Sequence, residues 1–165
     1  MAKFSNSASP ISAADLEKIQ QYAGLDFPGE YKDFLLKYNG GDCYPSDYEY
    51  VEDGVLAEGI VDWFLPISAS VEQNLQAYID LYKLQEKRIP DRMLPIAFDP
   101  GDNLICLSCA GEDCGAVFFW DHEREINYST NPDQVQTNMF FIQPSLTAFL
   151  SSLKEESDDD WDFMK

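Results

Sequence analysis

Apolar positions recur at helical spacing in four stretches of the chain. Leu16, Ile19 and Ala23 follow Ser12, which reads as an N-cap with Asp15 in the capping-box position, and Gly24 fits the C-terminal cap. In Phe27–Gly41, Tyr31, Phe34, Leu35 and Tyr38 fall on one face, with Lys32, Asp33 and Lys37 opposite. Pro28 suits the first helical position, and Asn39-Gly40-Gly41 ends the stretch with residues that tolerate positive φ. A longer helix is predicted from Ser70 to Arg88 on Val71, Leu75, Tyr78, Ile79 and Tyr82, with Pro90 just beyond it. Ser145 opens a last helix, whose stripe is Leu146, Phe149, Leu150 and Leu153.

Between these lie short apolar runs separated by turn residues. Leu94–Phe98, Leu104–Cys109 and Ala116–Trp120 predict an antiparallel meander, linked by Asp99-Pro100-Gly101-Asp102-Asn103 and by Ala110–Gly115. Shorter strands are expected at Tyr48–Val51 and Val55–Leu56, and a further one at Ile126–Tyr128. Ile60–Ile67 is apolar and aromatic, with Pro66 limiting its length. The fold class predicted is α+β: a mainly antiparallel sheet flanked by helices. With 165 residues the chain suits a single domain, expected over 11–154, between a flexible N-terminus (1–10) and a mobile acidic tail (155–165).

Charge changes the picture. Thirty acids against eleven bases give a formal net charge of −19. No Lys or Arg lies between Lys37 and Lys83, a window holding nine acids. A second window without Lys or Arg, between Arg92 and Arg124, holds Asp99, Asp102, Glu112, Asp113, Asp121 and Glu123. The excess therefore belongs to the folded body as well as to the tail. Nucleic acid and anionic membranes would both be repelled, so neither is expected as a partner. A cationic protein is the expected partner; the pattern leaves the oligomeric state open. The polar N-terminus lacks an apolar signal core, and no run reaches about 18 apolar residues, so a cytoplasmic protein is expected.

Candidate chemistry is sparse, and neither a catalytic residue nor a cofactor is expected. The single histidine, His122, sits at a strand end, and there is no phosphate-binding glycine loop and no nucleophile elbow. Cys106, Cys109, Cys114 and His122 lack the paired spacing of a zinc site, and Asp99 to Asn103 departs from a calcium loop in spacing, so no metal is expected. The four cysteines are expected to be reduced thiols. Aromatic rings among carboxylates mark the best binding candidate: Asp42, Tyr44, Asp47, Tyr48, Glu49, Tyr50, Glu52, Asp53, Asp62 and Trp63. A second acidic turn, Asp99, Asp102 and Asn103, is a further candidate.

The order of these elements resembles the SUKH superfamily, the Smi/Knr-type regulators of fungi and their bacterial relatives. That family's start is a capped helix, a short linker and an L-P-x-x-[YF]-x-x-[FL]-L-x-x-x-[NG]-G helix. Here it is Ile11-Ser12, Leu16-Glu17-Lys18-Ile19, then Phe27-Pro28 through Asn39-Gly40-Gly41, with Phe27 in place of the usual Leu. Leu94-Pro95-Ile96-Ala97 with Asp99-x-Gly101-Asp102-Asn103, the run from Gly115 to Glu123, and Ser145 to Leu153 resemble later parts. The resemblance implies an immunity protein that neutralises a polymorphic or contact-dependent bacterial toxin, often a nuclease, by binding rather than catalysis. Basic nuclease domains would suit an acidic binder. The alternative it implies is a regulatory or scaffold protein of the Smi/Knr type. The family pattern does not reach Asp42–Asp62, so no contact residue is carried over.

Overall fold

The computed structural model describes residues 2–125 and 138–155. Helix α1 (Ala13–Ala23) begins as its sequence predicts: Ser12 Oγ accepts the Asp15 N–H (3.2 Å) and the Asp15 carboxylate accepts the Ser12 N–H (2.9 Å). That backbone donor holds the Asp15 carboxyl below its ordinary range. Gly24 closes the helix at φ 69°, and Leu16, Ile19 and Ala23 are buried. Helix α2 (Gly29–Lys37) starts one residue later than expected: Pro28 is its N-cap, at ψ 144°. The Pro28 carbonyl accepts the N–H groups of Tyr31 (3.0 Å) and Lys32 (3.1 Å).

Residues 1–10, expected as a flexible end, contribute a strand. β1 (Lys3–Ser5) pairs antiparallel with β2 (Asp42–Tyr44). Phe4 contacts Phe34, Tyr38 and Phe64 with ring centroids 4.8–5.5 Å apart. One aromatic in a polar segment carries no periodicity. The strand exists because the folded body offers that ring a pocket.

The seam between β1, α2 and β2 is Asn39-Gly40-Gly41. Asn39 is 3% exposed. Its amide donates to the carbonyls of Ser9 and Ile67 (2.9 Å each), and its Oδ1 accepts the Ile67 N–H (2.8 Å). A Cβ at Gly40 would stand 2.6 Å from the Phe64 carbonyl oxygen, and one at Gly41 2.5 Å from that of Ser5. These glycines therefore serve close backbone approach as well as positive φ.

Strands β3 (Asp47–Glu52) and β4 (Val55–Ile60) form a hairpin longer than its predicted halves. Its loop is Asp53-Gly54, at φ 51° and 83°, the left-handed pair that a two-residue hairpin turn requires. A five-stranded antiparallel meander follows in chain order: β5 (Trp63–Phe64), β6 (Met93–Phe98), β7 (Leu104–Ser108), β8 (Val117–Trp120) and β9 (Met139–Gln143). β9 is an addition to the predicted set, whereas the strand expected at Ile126–Tyr128 lies outside the described residues.

Every residue of β6 and β7 is buried, because the sheet is covered on both faces. On one side Tyr50 of the hairpin meets Phe119 (4.9 Å) and Phe34 of α2 meets Phe64 (5.3 Å). On the other, Tyr78 stacks on Phe98 (5.6 Å) and Tyr82 stands edge-on to Trp120 (5.5 Å). Tyr78 and Tyr82 come from the segment expected as one long helix over 70–88. It is shorter: α3 (Leu75–Ile79) starts only after the Asn74 side chain accepts the Ala77 N–H (2.8 Å), and it widens into a π turn over Asp80–Leu84. Helix α4 (Leu146–Ser152) is capped by Ser145 as predicted and buries Leu146 and Phe149.

Replacing Asn39 with Ala removes three part-buried hydrogen bonds to the backbone of Ser9 and Ile67, and Asn39→Asp turns the donating nitrogen into an acceptor. Each is expected to cost about 2–4 kcal/mol, read as a lower urea midpoint with unchanged slope. A midpoint within error of wild type for both variants would refute the seam's role.

Candidate partner-binding surface

The β3–β4 hairpin has two unlike faces. Tyr48 and Tyr50, expected from the sequence as surface anchors, are core residues: Tyr48 packs on Phe149 (5.6 Å) and Tyr50 on Phe119 and Phe140. Strand alternation decides this, because both rings share the face turned toward the sheet. Gly59 lies directly opposite Tyr48, and a Cβ there would fall 2.3 Å from the ring. The outer face carries Asp47, Glu49 and Val51, paired with Ile60, Glu58 and Leu56. Val51, Leu56 and Ile60, with Val55 at the tip, are 43–68% exposed, and Tyr44 is exposed beside them. Half of the ten exposed large apolar residues among those described thus lie within residues 44–60. That concentration is unlike the single scattered residues of an ordinary surface.

Two cations fasten this arm from later in the chain. Lys154 pairs its backbone with Asp47 in both directions (2.9 and 3.1 Å). Its ammonium donates to Glu49 and lies 3.5 Å from Glu58, two carboxylates that face each other across the strands. Arg124 reaches Asp53 (3.2 Å), Glu52 (3.4 Å) and Asp121 (3.8 Å). The Glu49 hydrogen bond raises the Lys154 pKa, and the Asp53 hydrogen bond raises that of Arg124. Four carboxylates of the hairpin thus meet two cations, so its surface stays negative.

The other candidate residues are scattered or engaged. Asp42 accepts the Asn6 amide (2.7 Å) beside β1. Asp62 is exposed where the chain enters β5, and half-buried Trp63 donates its indole N–H to the Gln73 carbonyl (3.3 Å), away from the hairpin. The second acidic turn is structural in two of its three members. Asp99 Oδ1 accepts the N–H groups of Gly101 and Asn103 (2.8 Å each), and the Asn103 amide donates to Asp99 Oδ2 (3.0 Å). Asn103 Oδ1 accepts the His122 N–H (3.1 Å) and lies 2.7 Å from His122 Nδ1. Only Asp102, exposed at φ 67°, is left facing water. Sequence reasoning missed Val51, Val55, Leu56, Glu58 and Ile60. Part of the signal was present: once Asp53-Gly54 is read as a two-residue loop, alternation groups Val51, Leu56, Glu58 and Ile60 on one face, opposite that of Tyr48 and Tyr50, with Val55 at the tip.

A groove of about 680 Å³ lies between α1 and α3. Four of its polar residues are engaged within the protein: Asp15 by the α1 cap, Asn74 by the α3 cap, and the Tyr22 hydroxyl with Asp80. Cys106 and Cys109 are buried, and burial pushes the Cys109 thiol up to about 12. Among the described residues no group of three or more His, Cys, Asp or Glu is placed to hold a metal, and no helix is long and apolar enough to cross a membrane.

With this geometry in hand, residues 10–152 match the model of the SMI1 / KNR4 family (SUKH-1). The chain belongs to this family. It is also similar to the SPbeta prophage-derived uncharacterized protein YokK of Bacillus subtilis (strain 168), 31% identical over 158 residues that cover 86% of this chain and 73% of that protein. The SUKH-1 match takes in all four helices and the hairpin. It leaves out β1 and Lys154, so the strand along Gly41 and the clamp on Glu49 lie outside it.

Removing Lys154 leaves Glu49 and Glu58 opposed without their shared cation. Lys154→Met is expected to lower the melting temperature by a few degrees at low salt and by much less near 1 M salt, where charges are screened within about 3 Å. An equal loss at both salt levels would assign the effect to packing instead. Burial also pushes the phenols of Tyr50 and Tyr78 up to about 12, and those of Tyr31 and Tyr48 further in the same direction. An unfolded tyrosine ionises near pH 10, so the stability these rings confer is complete below about pH 10 and is lost as pH rises toward 12. Circular dichroism and tyrosinate absorbance, followed together, should show these rings ionising only as the fold melts. Ionisation of all nine tyrosines near pH 10 with the fold intact would contradict this.

Proposed function

We propose that this SUKH-1 protein is an immunity protein, which binds a cognate bacterial toxin domain stoichiometrically and neutralises it in the cytoplasm. The observation that carries the proposal is the outer face of the hairpin, where exposed Val51, Leu56 and Ile60 stand among Asp47, Glu49 and Glu58. The Glu49–Glu58 pair stands between the Val51–Leu56 and Asp47–Ile60 pairs, so apolar area for burial flanks a negative charge on one face. The sign of that charge selects a basic partner, such as a nuclease domain whose own function requires cations against phosphate. Binding is the whole activity: the carboxylates here are tied to Lys154 and Arg124 and do not converge on a cleft. Charge complementarity accelerates and orients the encounter, and burial of the apolar residues sets the lifetime of the complex. Asp62 and Trp63, placed elsewhere, are not part of this surface.

The test is co-expression with the toxin domain encoded beside the gene, scored by co-purification and by rescue of growth. Association is expected to slow by about tenfold or more between roughly 0.05 and 0.5 M salt, with a much smaller change in dissociation. Val51→Ala with Leu56→Ala should instead quicken dissociation. A toxin that neither binds nor is neutralised would end the proposal, and a salt-independent on-rate would remove its electrostatic part.

A further inference from the structure

β4 is an edge. β3 has β4 on one side and Lys154 bonded to Asp47 on the other, whereas among the described residues no strand pairs with the far side of β4. The register fixes which backbone groups face outward. Val61 N–H donates to the Ser46 carbonyl (2.9 Å), and Asp47 turns its own N–H and carbonyl toward Lys154. Alternation in an antiparallel pair then points Val55, Ala57 and Gly59 at β3, and turns the N–H and carbonyl of Leu56, Glu58 and Ile60 to solvent. Natural edges are usually blunted by lysine, proline or a bulge. Val55–Ile60 has no lysine and no proline, its register with β3 is unbroken, and it exposes Val55, Leu56 and Ile60.

We infer that β4 receives an extended strand of a basic protein by antiparallel strand addition, with cationic and apolar side chains taking turns along the one face that meets Leu56, Glu58 and Ile60. This rests on the immunity reading and specifies how its partner is held. Backbone hydrogen bonds to Leu56, Glu58 and Ile60 supply affinity, and side chains on alternate positions supply selectivity. Apolar residues of the incoming strand rest on Leu56 and Ile60, and its cation stands against Glu58. Among the described residues, Glu49 and Glu58 share one cation, Lys154, so an added positive charge is accommodated there. A second copy of this chain is the wrong occupant. Antiparallel self-pairing centred on Glu58 sets Glu58 against Glu58, and each copy brings a formal charge of −19.

The test uses the full-length protein and a synthetic nine-residue strand, Val-Thr-Lys-Thr-Val-Thr-Lys-Thr-Val, acetylated and amidated, so that Val and Lys take turns on one face. A second peptide carries N-methyl groups on alternate amides, and a third has Glu in place of Lys. Backbone-amide NMR should place the Lys/Val strand at Leu56, Glu58 and Ile60, with slowed amide exchange at those positions. N-methylation is expected to weaken binding by about tenfold or more, and the Glu/Val strand should not bind. Glu58→Pro removes an outward N–H and no internal hydrogen bond, so it should weaken binding more than Glu58→Gln, which removes the charge alone. The methylated peptide keeps the test decisive if Glu58→Pro fails to fold. Equal affinity for methylated and unmethylated strands, absence of saturable binding, or a dimer whose Leu56, Glu58 and Ile60 amides are protected would each overturn the inference. So would neutralisation of the adjacent toxin with wild-type affinity by folded Glu58→Pro, an outcome that leaves the immunity reading intact. Binding of the Lys/Val strand at β4, with no affinity for the adjacent toxin, upholds the inference and overturns the immunity reading instead.

Discussion

The side chain of Asn39 is the point at which three separated pieces of chain are held together. Its amide bonds to the backbone of Ser9 and Ile67, and Gly41 donates to and accepts from Phe64 (2.9 Å each way). Part-buried amide bonds of this kind contribute modestly when made and cost more when one partner alone is removed. The seam therefore sets where β1 lies, where α2 stops and where β5 enters the sheet. The arrangement of Phe4, Phe34 and Phe64 follows from those three placements.

The hairpin released after this seam is attached by two different forces. Its inner face is held by aromatic burial, through Tyr48 and Tyr50 against Phe149, Phe119 and Phe140. Its carboxylates are held by Lys154 and Arg124, cations that lie far along the chain from them. The division leaves the outer face firmly placed, with Val51, Leu56 and Ile60 exposed on it. Preorganisation of that sort lowers the entropic cost of association, which is why the immunity reading settles on this face.

Much of the fold was legible because it rests on local rules. The α1 cap, the stripe of α2, the Ser145 cap of α4 and the run of meander strands from Leu94 to Trp120 all follow from residues within a few positions of each other. Two features resisted for identifiable reasons. The 70–88 segment has helical spacing throughout, yet Asn74 offers a cap and the helix begins there, later widening where Tyr78 and Tyr82 meet Phe98 and Trp120. β1 has one useful ring and no alternation, so nothing local marks it. Within the acidic aromatic window, Tyr48 and Tyr50 belonged to the core, and the aliphatics that the hairpin exposes were overlooked.

By itself the amino-acid order determined the element types, the α+β class, the family and the sign of the surface charge, since all of these depend on composition and short-range spacing. Tertiary structure alone decided which side of the hairpin faces water. It also decided that Lys154 and Arg124 would sit on carboxylates distant in sequence. Strand alternation permits only two assignments of faces, and the choice between them is made by what the rest of the chain brings alongside: a sheet of aromatic side chains that accepts Tyr48 and Tyr50 and leaves Val51, Leu56 and Ile60 outside.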